Sequence, residues 1–240
     1  MIIKALNSIN FSKKTRAPKD IKAIVIHYTG MQSKIESIKR LTSRVHKVSC
    51  HYLIDRKGKI LKMVDEDKVA WHAGKSKWKN YINLNKNSIG IEIVNKGHDL
   101  GYEKFTFQQL KSLIQICKNL KKKYKIKNSN IVGHSDIAPL RKKDPGEKFP
   151  WKQLKKNNIG IWYKEFQYKS KKLDNKKLEK LFFKNLFKIG YRYFSKNRRT
   201  KNDFFITKAF QRRFLPNNVT GKIDLKTFKI SHFLAYHTKN

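Results

Sequence analysis

The sequence predicts an α/β fold with a mixed central sheet flanked by helices, followed by a small all-helical region. Two observations support this prediction. Short runs rich in β-branched residues alternate with helical capping patterns over residues 21–162, and only amphipathic helical patterns follow over residues 173–240. Strands that alternate with helices pack in layers around one sheet. We therefore predict an N-terminal extension (1–20), an α/β domain (21–162), a linker (163–172) and a helical domain (173–240).

The first predicted elements are a strand, a helix and a hairpin. Residues 21–28 (IKAIVIHY) form a β-branched run that is typical of a buried strand. Ser33 and Glu36 have the spacing of a capping box, which predicts a helix directly after it. Residues 52–55 and 59–64 flank a loop that contains glycine, as a hairpin requires. The apolar residues predicted to form one face of the helix are Ile35, Ile38, Leu41 and Val45.

Two further strands are predicted in this region. Residues 88–95 (SIGIEIVN) alternate in the manner of a strand, and Gly90 within them marks either a bulge or a close approach of another group. Residues 131–134 (IVGH) predict a short strand that ends in a histidine. Residues 144–146 (DPG) predict a turn.

The predicted helices follow from caps and apolar spacing. Thr106 and Gln109 form a second capping box, before a helix that ends near Tyr124. Apolar residues at helical spacing over 178–186 and 206–214 predict two amphipathic helices, with a turn and a final short helix after them.

The charge of the chain is strongly positive. There are 57 Lys and Arg residues against 17 Asp and Glu, a net charge of +40. Such a surface attracts polyanions whatever its fold, so nucleic acid, anionic lipid and acidic wall polymers are candidate partners. The lysines are spread singly along the chain instead of forming one arm or stripe, so a bias in composition explains them equally well. We expect no specific nucleic-acid partner.

Several classes of protein are disfavoured. Cys50 and Cys117 cannot form a framework of several disulfides and have no C-x-x-C spacing. No apolar run approaches the roughly 18 residues of a membrane-spanning helix.

The first residues lack the features of a secretory signal, so we expect a cytoplasmic protein, with a periplasmic or wall-associated location as the alternative. A monomer is the default expectation.

Three potential metal ligands follow predicted strands or lie in a loop. They are His27, His134 and Asp144. Two neutral imidazoles and one carboxylate suit a catalytic Zn²⁺ ion and leave its fourth position for water. Each residue alone also has an ordinary structural explanation, and there is no H-E-x-x-H helix. The spacing by itself therefore leaves the zinc site a hypothesis.

Six segments occur in the order found in zinc-dependent N-acetylmuramoyl-L-alanine amidases. They are IVIHYTG (24–30), VSCHYLID (48–55), AWHAG (70–74), NSIGIEIVN (87–95), IVGHSDIAP (131–139) and RKKDPGEKFPW (141–151). Over about residues 20–162 the chain resembles the type-2 amidase family of AmpD-like and AmiD-like enzymes, which share the fold of the peptidoglycan-recognition proteins. The resemblance implies hydrolysis of the amide bond between N-acetylmuramic acid and L-alanine in peptidoglycan or muropeptides. The alternative is a peptidoglycan-binding protein with this fold and no catalysis.

The resemblance also implies roles for five residues. His27, His134 and Asp144 match the zinc ligands of the family, Glu92 its glutamate and Lys142 its catalytic lysine. The chemistry of these side chains suits those roles. Glu92 can take a proton from a zinc-bound water and return it to the leaving amine, and Lys142 can stabilise negative charge on the amide oxygen.

Other side chains in the motif segments are candidate substrate contacts. The substrate-lining candidates are His51, Tyr52, Trp71, His72 and Trp78. For the Tyr and Trp residues, packing in the core is at least as good an explanation. Asp136 either orients a ligand imidazole or caps the turn that follows.

The C-terminal region has a resemblance of its own. Residues 209–228 (AFQRRFLPNNVTGKIDLKTF) resemble a pattern in small helical peptidoglycan-binding domains that follow amidases of this type. Over about residues 173–240 this resemblance implies attachment to the cell wall. The alternative is a helical cap that only stabilises the α/β domain.

Overall fold

A computed structural model describes residues 3–164, 174–195 and 198–238 of the chain. All but the first two residues of the predicted linker (163–172) lie outside the described residues. The strands are β1 (Ile3–Ala5), β2 (Phe11–Ser12), β3 (Ala23–Tyr28), β4 (Tyr52–Ile54), β5 (Ile60–Lys62), β6 (Val69–Ala70), β7 (Lys77–Trp78), β8 (Tyr81–Ile82), β9 (Ser88–Ile93) and β10 (Ile131–Gly133). The helices are α1 (Lys34–Thr42), α2 (Phe107–Lys123), α3 (His134–Ile137), α4 (Trp151–Lys156), α5 (Asn175–Ile189), α6 (Asn202–Phe214) and α7 (Leu225–Tyr236).

The central sheet is mixed, as the sequence predicts. Its strand order is β1-β5-β4-β9-β3-β10, in which β4 and β5 form the antiparallel hairpin and the other neighbours pair in parallel. Two small antiparallel pairs, β2 with β6 and β7 with β8, lie outside it. The buried centre of the sheet, β9 and β3, is rich in isoleucine, which is typical of parallel strands covered on both faces.

Different helices cover the two faces of the sheet. Successive residues of a strand point to opposite faces. On β3, Ile24 and Ile26 pack with the apolar residues of α2 and α4, whereas Ala23 and Val25 belong to a cluster with the apolar residues of α5, α6 and α7. The C-terminal helices therefore share a hydrophobic core with the sheet.

Helix α1 begins where the sequence predicts, but fewer of its apolar side chains are buried than predicted. The Ser33 side chain accepts a hydrogen bond from the Glu36 amide at 3.1 Å, which caps the helix. Leu41 is buried, but Ile35 is 66% exposed and Val45 is 84% exposed. The predicted apolar face is wrong for these two residues, because the helix ends at Thr42 and touches the core along one edge only.

Helix α2 has the complete capping box that the sequence predicts. The Thr106 hydroxyl accepts from the Gln109 amide at 3.1 Å, and the Gln109 side chain accepts from the Thr106 amide at 3.0 Å. Two N–H groups that the helix leaves without partners are thereby satisfied. Cys117 lies fully buried on the inner face of α2, as a small core residue.

The three predicted C-terminal helices are present. Asp174 caps α5 by accepting from the Lys177 amide at 2.8 Å, and Asp224 caps α7 by accepting from the Thr227 amide at 2.7 Å. In the part of the chain that the structure describes, no helix combines the length and the apolar character needed to cross a bilayer.

A buried ion pair fixes α6 against the sheet. Arg213 and Asp136 are 2% and 1% exposed, and Arg213 donates to the Asp136 carboxylate at 2.6 Å and to the Ile131 carbonyl at 3.0 Å. Asp136 also accepts from the Tyr191 hydroxyl at 2.5 Å and caps α3 by accepting from the Gly133 amide at 2.8 Å. Of the two roles predicted for Asp136, the structure shows capping: its carboxylate bonds to Gly133, Tyr191 and Arg213 and not to an imidazole.

We expect Arg213→Ala to destabilise the protein strongly. The substitution leaves a buried carboxylate without its cation, and removing one partner of a buried pair costs roughly 3–5 kcal/mol. Urea denaturation should show a loss of that size in the free energy of unfolding. Arg44→Ala, at an exposed arginine just after α1, is the matched control and should change the value by less than about 0.5 kcal/mol. Equal stability of the two variants would contradict the anchoring role of Arg213.

Candidate active site

Three potential metal ligands meet at one edge of the sheet. His27 lies near the end of β3, His134 directly follows β10, and the parallel register pairs Ile26 with Gly133. Because the carboxyl ends of neighbouring parallel strands lie at the same edge, the two histidines are brought side by side. Asp144, from the loop before α4, completes the cluster.

The three side chains present their donor atoms to a common point. The Nδ1 atoms of His27 and His134 are 3.0 Å apart, and they lie 3.0 Å and 3.1 Å from Oδ2 of Asp144. A tetrahedral zinc ion with ligand bonds of 2.0–2.1 Å separates its ligand atoms by roughly 3.3 Å. All three residues are buried. The cluster therefore fits a small divalent cation, and the structure brings together the three residues that the sequence singled out.

The protonation of these groups also suits a metal. His134 Nε2 lies 3.2 Å from the carbonyl oxygen of Ala73 and 3.3 Å from a guanidinium nitrogen of Arg141, and these contacts hold the ring with its Nδ1 atom toward the cluster. Burial, aided by the nearby His134, lowers the pKa of His27 to about 4. Although burial opposes it, the two imidazoles hold the pKa of Asp144 below its usual range. Neutral imidazoles and an ionised carboxylate are the forms that bind metals.

Glu92 lies beside the cluster on the neighbouring strand. The register of β9 places it directly opposite His27, and both side chains line the same cavity. Its Oε2 atom is buried and has no hydrogen-bond partner. Burial, together with the charge of Asp144, raises the pKa of Glu92 well above its ordinary value. A carboxyl group whose pKa is raised takes up a proton more readily than an ordinary glutamate, as the base of a general acid–base reaction must.

Basic side chains surround the mouth of the site. The cavity has a volume of about 500 Å³, and its lining includes Lys142 and Arg141 as well as the cluster and Glu92. Arg141 donates to the carbonyl groups of Ala73 and Lys75 and so fixes that loop beside His134. Sequence reasoning missed Arg141, because an arginine next to lysines in so basic a chain carries no distinguishing signal.

The prediction that His51 lines the substrate groove is wrong. His51 is fully buried and does not line the cavity. Its Nδ1 atom accepts from the Gly90 amide at 2.9 Å, and its Nε2 atom lies 3.2 Å from the Lys68 carbonyl oxygen. The residue acts as a core histidine that joins β9 to a neighbouring loop.

Two predicted aromatic contacts are also part of the core. Tyr52 is buried and donates its hydroxyl to Glu66 at 2.5 Å. Trp78 has no exposed surface and donates its indole N–H to the Ser129 carbonyl at 3.1 Å. The polar tip of each ring is satisfied inside the protein, so neither residue is available to a ligand.

Two predicted contacts do line the cavity. Trp71 is half-buried, and its indole N–H donates to the Ser12 hydroxyl at 3.2 Å, which leaves the ring beside the cavity. His72 also borders the cavity, but its ring lies against His27. A role for Trp71 in binding substrate stays a prediction.

Comparisons with known sequences identify the family. Residues 17–147 match the family model Amidase_2, described as N-acetylmuramoyl-L-alanine amidase. The N-acetylmuramoyl-L-alanine amidase AmiD of Escherichia coli is 41% identical over 154 residues, which are 59% of this chain and 55% of that protein. The 1,6-anhydro-N-acetylmuramyl-L-alanine amidase AmpD of Haemophilus influenzae is 33% identical over 166 residues, 62% of this chain and 88% of that protein. The match to AmiD thus spans little more than half of its length.

Solved structures extend the similarity into the C-terminal helices. Escherichia coli AmiD, in complex with the substrate anhydro-N-acetylmuramic acid-L-Ala-D-gamma-Glu-L-Lys, has a TM-score of 0.78 and 33% identity, covering 93% of this chain and 91% of that chain. AMPDH3 from Pseudomonas aeruginosa, in complex with anhydromuramic pentapeptide, has a TM-score of 0.77 and 30% identity, covering 95% and 96%. The chain therefore belongs to the Amidase_2 family of N-acetylmuramoyl-L-alanine amidases.

Proposed function

We propose that this protein is a zinc-dependent amidase that cleaves the bond between N-acetylmuramic acid and L-alanine in peptidoglycan or muropeptides. One observation carries the proposal: two imidazole nitrogens and a carboxylate oxygen lie within 3.1 Å of one another beside a buried, unpartnered glutamate oxygen. The similarity to AmiD, which was solved with an anhydro-muramyl peptide described as its substrate, supports the same reaction.

Zinc is the metal that the donor set favours. Catalytic zinc sites use three protein ligands drawn from imidazole, carboxylate and thiolate groups, and keep one position open. His27, His134 and Asp144 would supply these three ligands here. When bound, a zinc ion supplies an acidified water, with a pKa near 7, and a Lewis acid for the amide carbonyl.

Glu92 supplies the proton transfers in this proposal. Its raised pKa reflects a site in which the carboxyl group readily accepts a proton. Glu92 takes the proton of the attacking water as the new C–O bond forms. It then gives that proton to the nitrogen of the leaving L-alanine when the C–N bond breaks, so that the amine departs neutral.

Lys142 supplies positive charge at the mouth of the cavity. During attack, negative charge builds up on the amide oxygen. A fixed cation close to that oxygen stabilises the tetrahedral state more than the neutral amide, which lowers the barrier. The site residues therefore divide into three that hold a metal, one that moves a proton and one that stabilises charge.

We expect Glu92→Gln to keep its metal and lose turnover. General acid–base groups contribute about 10²- to 10⁴-fold to a rate, so kcat for release of peptide from an anhydro-muramyl peptide should fall by that range. Metal content, measured on the same sample, should match the wild type. Glu179→Gln, at an exposed glutamate on α5, is the control. Turnover near the wild-type rate in the Glu92 variant would remove its assigned role.

We expect His134→Ala to lose metal and activity together, because one of the three proposed ligands is gone. Zinc bound per chain after dialysis and the rate of peptide release should both fall to near background. His46→Ala, at an exposed histidine that does not line the cavity, should retain both. Full activity in a metal-free His134 variant would exclude the proposed mechanism.

We expect Lys142→Met to reduce kcat while the metal stays bound. Removing one group that stabilises an oxyanion typically costs about 10²- to 10³-fold. The matched control is Lys156→Met, at an exposed lysine of α4. If the rise in KM accounted for the whole loss in kcat/KM, Lys142 would bind substrate without stabilising the reacting oxygen.

A further inference from the structure

His72 lies directly behind a proposed metal ligand. Its Nδ1 atom is 3.1 Å from Nε2 of His27, which is the nitrogen that points away from the cluster. The two rings meet edge to face, with centroids 5.2 Å apart and an interplanar angle of 83°. His72 is 8% exposed, so this contact is largely shielded from water.

The positions of the protons on His72 and His27 can be deduced from Ser88, which contacts the other nitrogen of His72. The Ser88 hydroxyl lies 2.6 Å from the carbonyl oxygen of Leu84, which can only accept, so the hydroxyl donates there. Its oxygen is then an acceptor for Nε2–H of His72, at 3.3 Å. A neutral His72 ring has one proton, so its Nδ1 atom accepts a hydrogen bond from Nε2–H of His27.

These hydrogen bonds determine the tautomer of His27. With its proton on Nε2, the Nδ1 atom presents a lone pair toward His134 and Asp144. His27 Nδ1 and the ionised carboxylate oxygen of Asp144 can then only accept, and they lie 3.0 Å apart, an arrangement that a cation between them stabilises.

We propose that His72 is a positioning residue that, together with Ser88, fixes the tautomer and orientation of His27 for metal binding. The proposal rests on the proposed function, because it concerns a ligand of the metal site. Ligating histidines generally donate their second nitrogen to a fixed partner, which sets ring orientation and raises the basicity of the ligand. Here that partner is a second imidazole.

The fold holds His72 in place from two sides. The backbone amides of His72 and Ala73 both donate to the Asn85 side-chain oxygen, at 3.1 Å and 2.6 Å. On the other side the ring lies against β9 at Gly90, where a Cβ atom would overlap the imidazole. This confirms the close approach predicted at Gly90 and explains why that strand position has no side chain.

The contacts of His72 also argue against the predicted role in binding substrate. Both ring nitrogens already have partners inside the protein, His27 on one side and Ser88 on the other. A hydrogen bond from His72 to substrate would require one of these contacts to break. His72 therefore borders the cavity without offering it a free polar atom.

The test compares His72→Asn with His72→Leu. The two new side chains have nearly the same size, but only asparagine places an acceptor close to the position of Nδ1. We expect the leucine variant to bind zinc about 10- to 100-fold more weakly in a chelator competition. It should also show a lower kcat with little change in KM and an altered visible spectrum with Co²⁺. Asparagine should restore most of the affinity and the spectrum.

The outcomes separate this proposal from the proposed function. If the wild-type chain binds no divalent metal, the proposed function fails. If the wild type binds metal and the Asn and Leu variants share one affinity and one Co²⁺ spectrum, only the positioning role fails. A raised KM with unchanged metal affinity would also overturn it, and would make His72 a substrate contact.

Ser88→Ala provides the second test and is decisive if the His72 variants do not fold. It leaves both imidazoles in place and removes the acceptor of the His72 proton, together with the hydrogen bond from the Ser88 hydroxyl to the Leu84 carbonyl. We expect zinc affinity to fall about tenfold, with thermal unfolding of the metal-free protein close to that of the wild type. Unchanged zinc affinity in a folded Ser88 variant would overturn the proposal.

Discussion

The parallel pairing of β3 with β9 and β10 is the constraint on which the site depends. The register with β9 places His27 opposite Glu92. The register with β10 pairs Ile26 with Gly133, so that His134, the next residue, lies beside His27. A slip of one residue would turn His27 to the opposite face of the sheet, into the apolar layer under α2. The isoleucines of these strands oppose such a slip, because it would expose them to the polar site. Hydrophobic packing thus determines where the metal ligands meet.

Behind this edge, backbone groups and side chains, Arg141 among them, contact the ligand imidazoles and hold them in place. The Ala73 carbonyl orients His134, and His72 orients His27. The segment that contains His134 is also fixed to α6, because Asp136 forms an ion pair with Arg213. The C-terminal helices therefore support the same short segment that supplies a ligand. A stabilising role of this kind is compatible with the predicted attachment to the cell wall.

The sequence was most informative where the signal is local. Capping by Ser33 and Thr106 depends on residues three apart, and both caps are observed. Burial depends on partners that are distant in the chain, which is why helical spacing predicts a buried Ile35 although the residue is exposed. His51 shows the same limit, because a histidine in a motif segment gives no sign of whether its nitrogens will meet substrate or backbone.

The three ligands of the cluster could be predicted only together, from the order of the motifs that contain them. His27, His134 and Asp144 are each unremarkable in sequence, and their ordered motifs provided the evidence that they meet. The contact between His72 and His27 could not be derived in that way, since its two residues are 45 positions apart. Nothing in their spacing shows that β9 leaves room for a ring at Gly90. Only the glycine hinted at a close approach, and it did not identify the group that approaches.

Two carboxylates share the cavity, and their surroundings drive their pKa values in opposite directions. Asp144 faces two imidazoles, which stabilise its charge in spite of burial. Glu92 has no such partner at its buried oxygen, and the charge of Asp144 adds to the effect of burial; Lys142 opposes both without reversing the shift. A carboxylate that stays ionised serves as a ligand, and one that readily takes a proton serves as an acid and base. Exchanging the two residues would place the proton carrier among the imidazoles and the ionised carboxylate where burial disfavours its charge, so their roles follow from their environments.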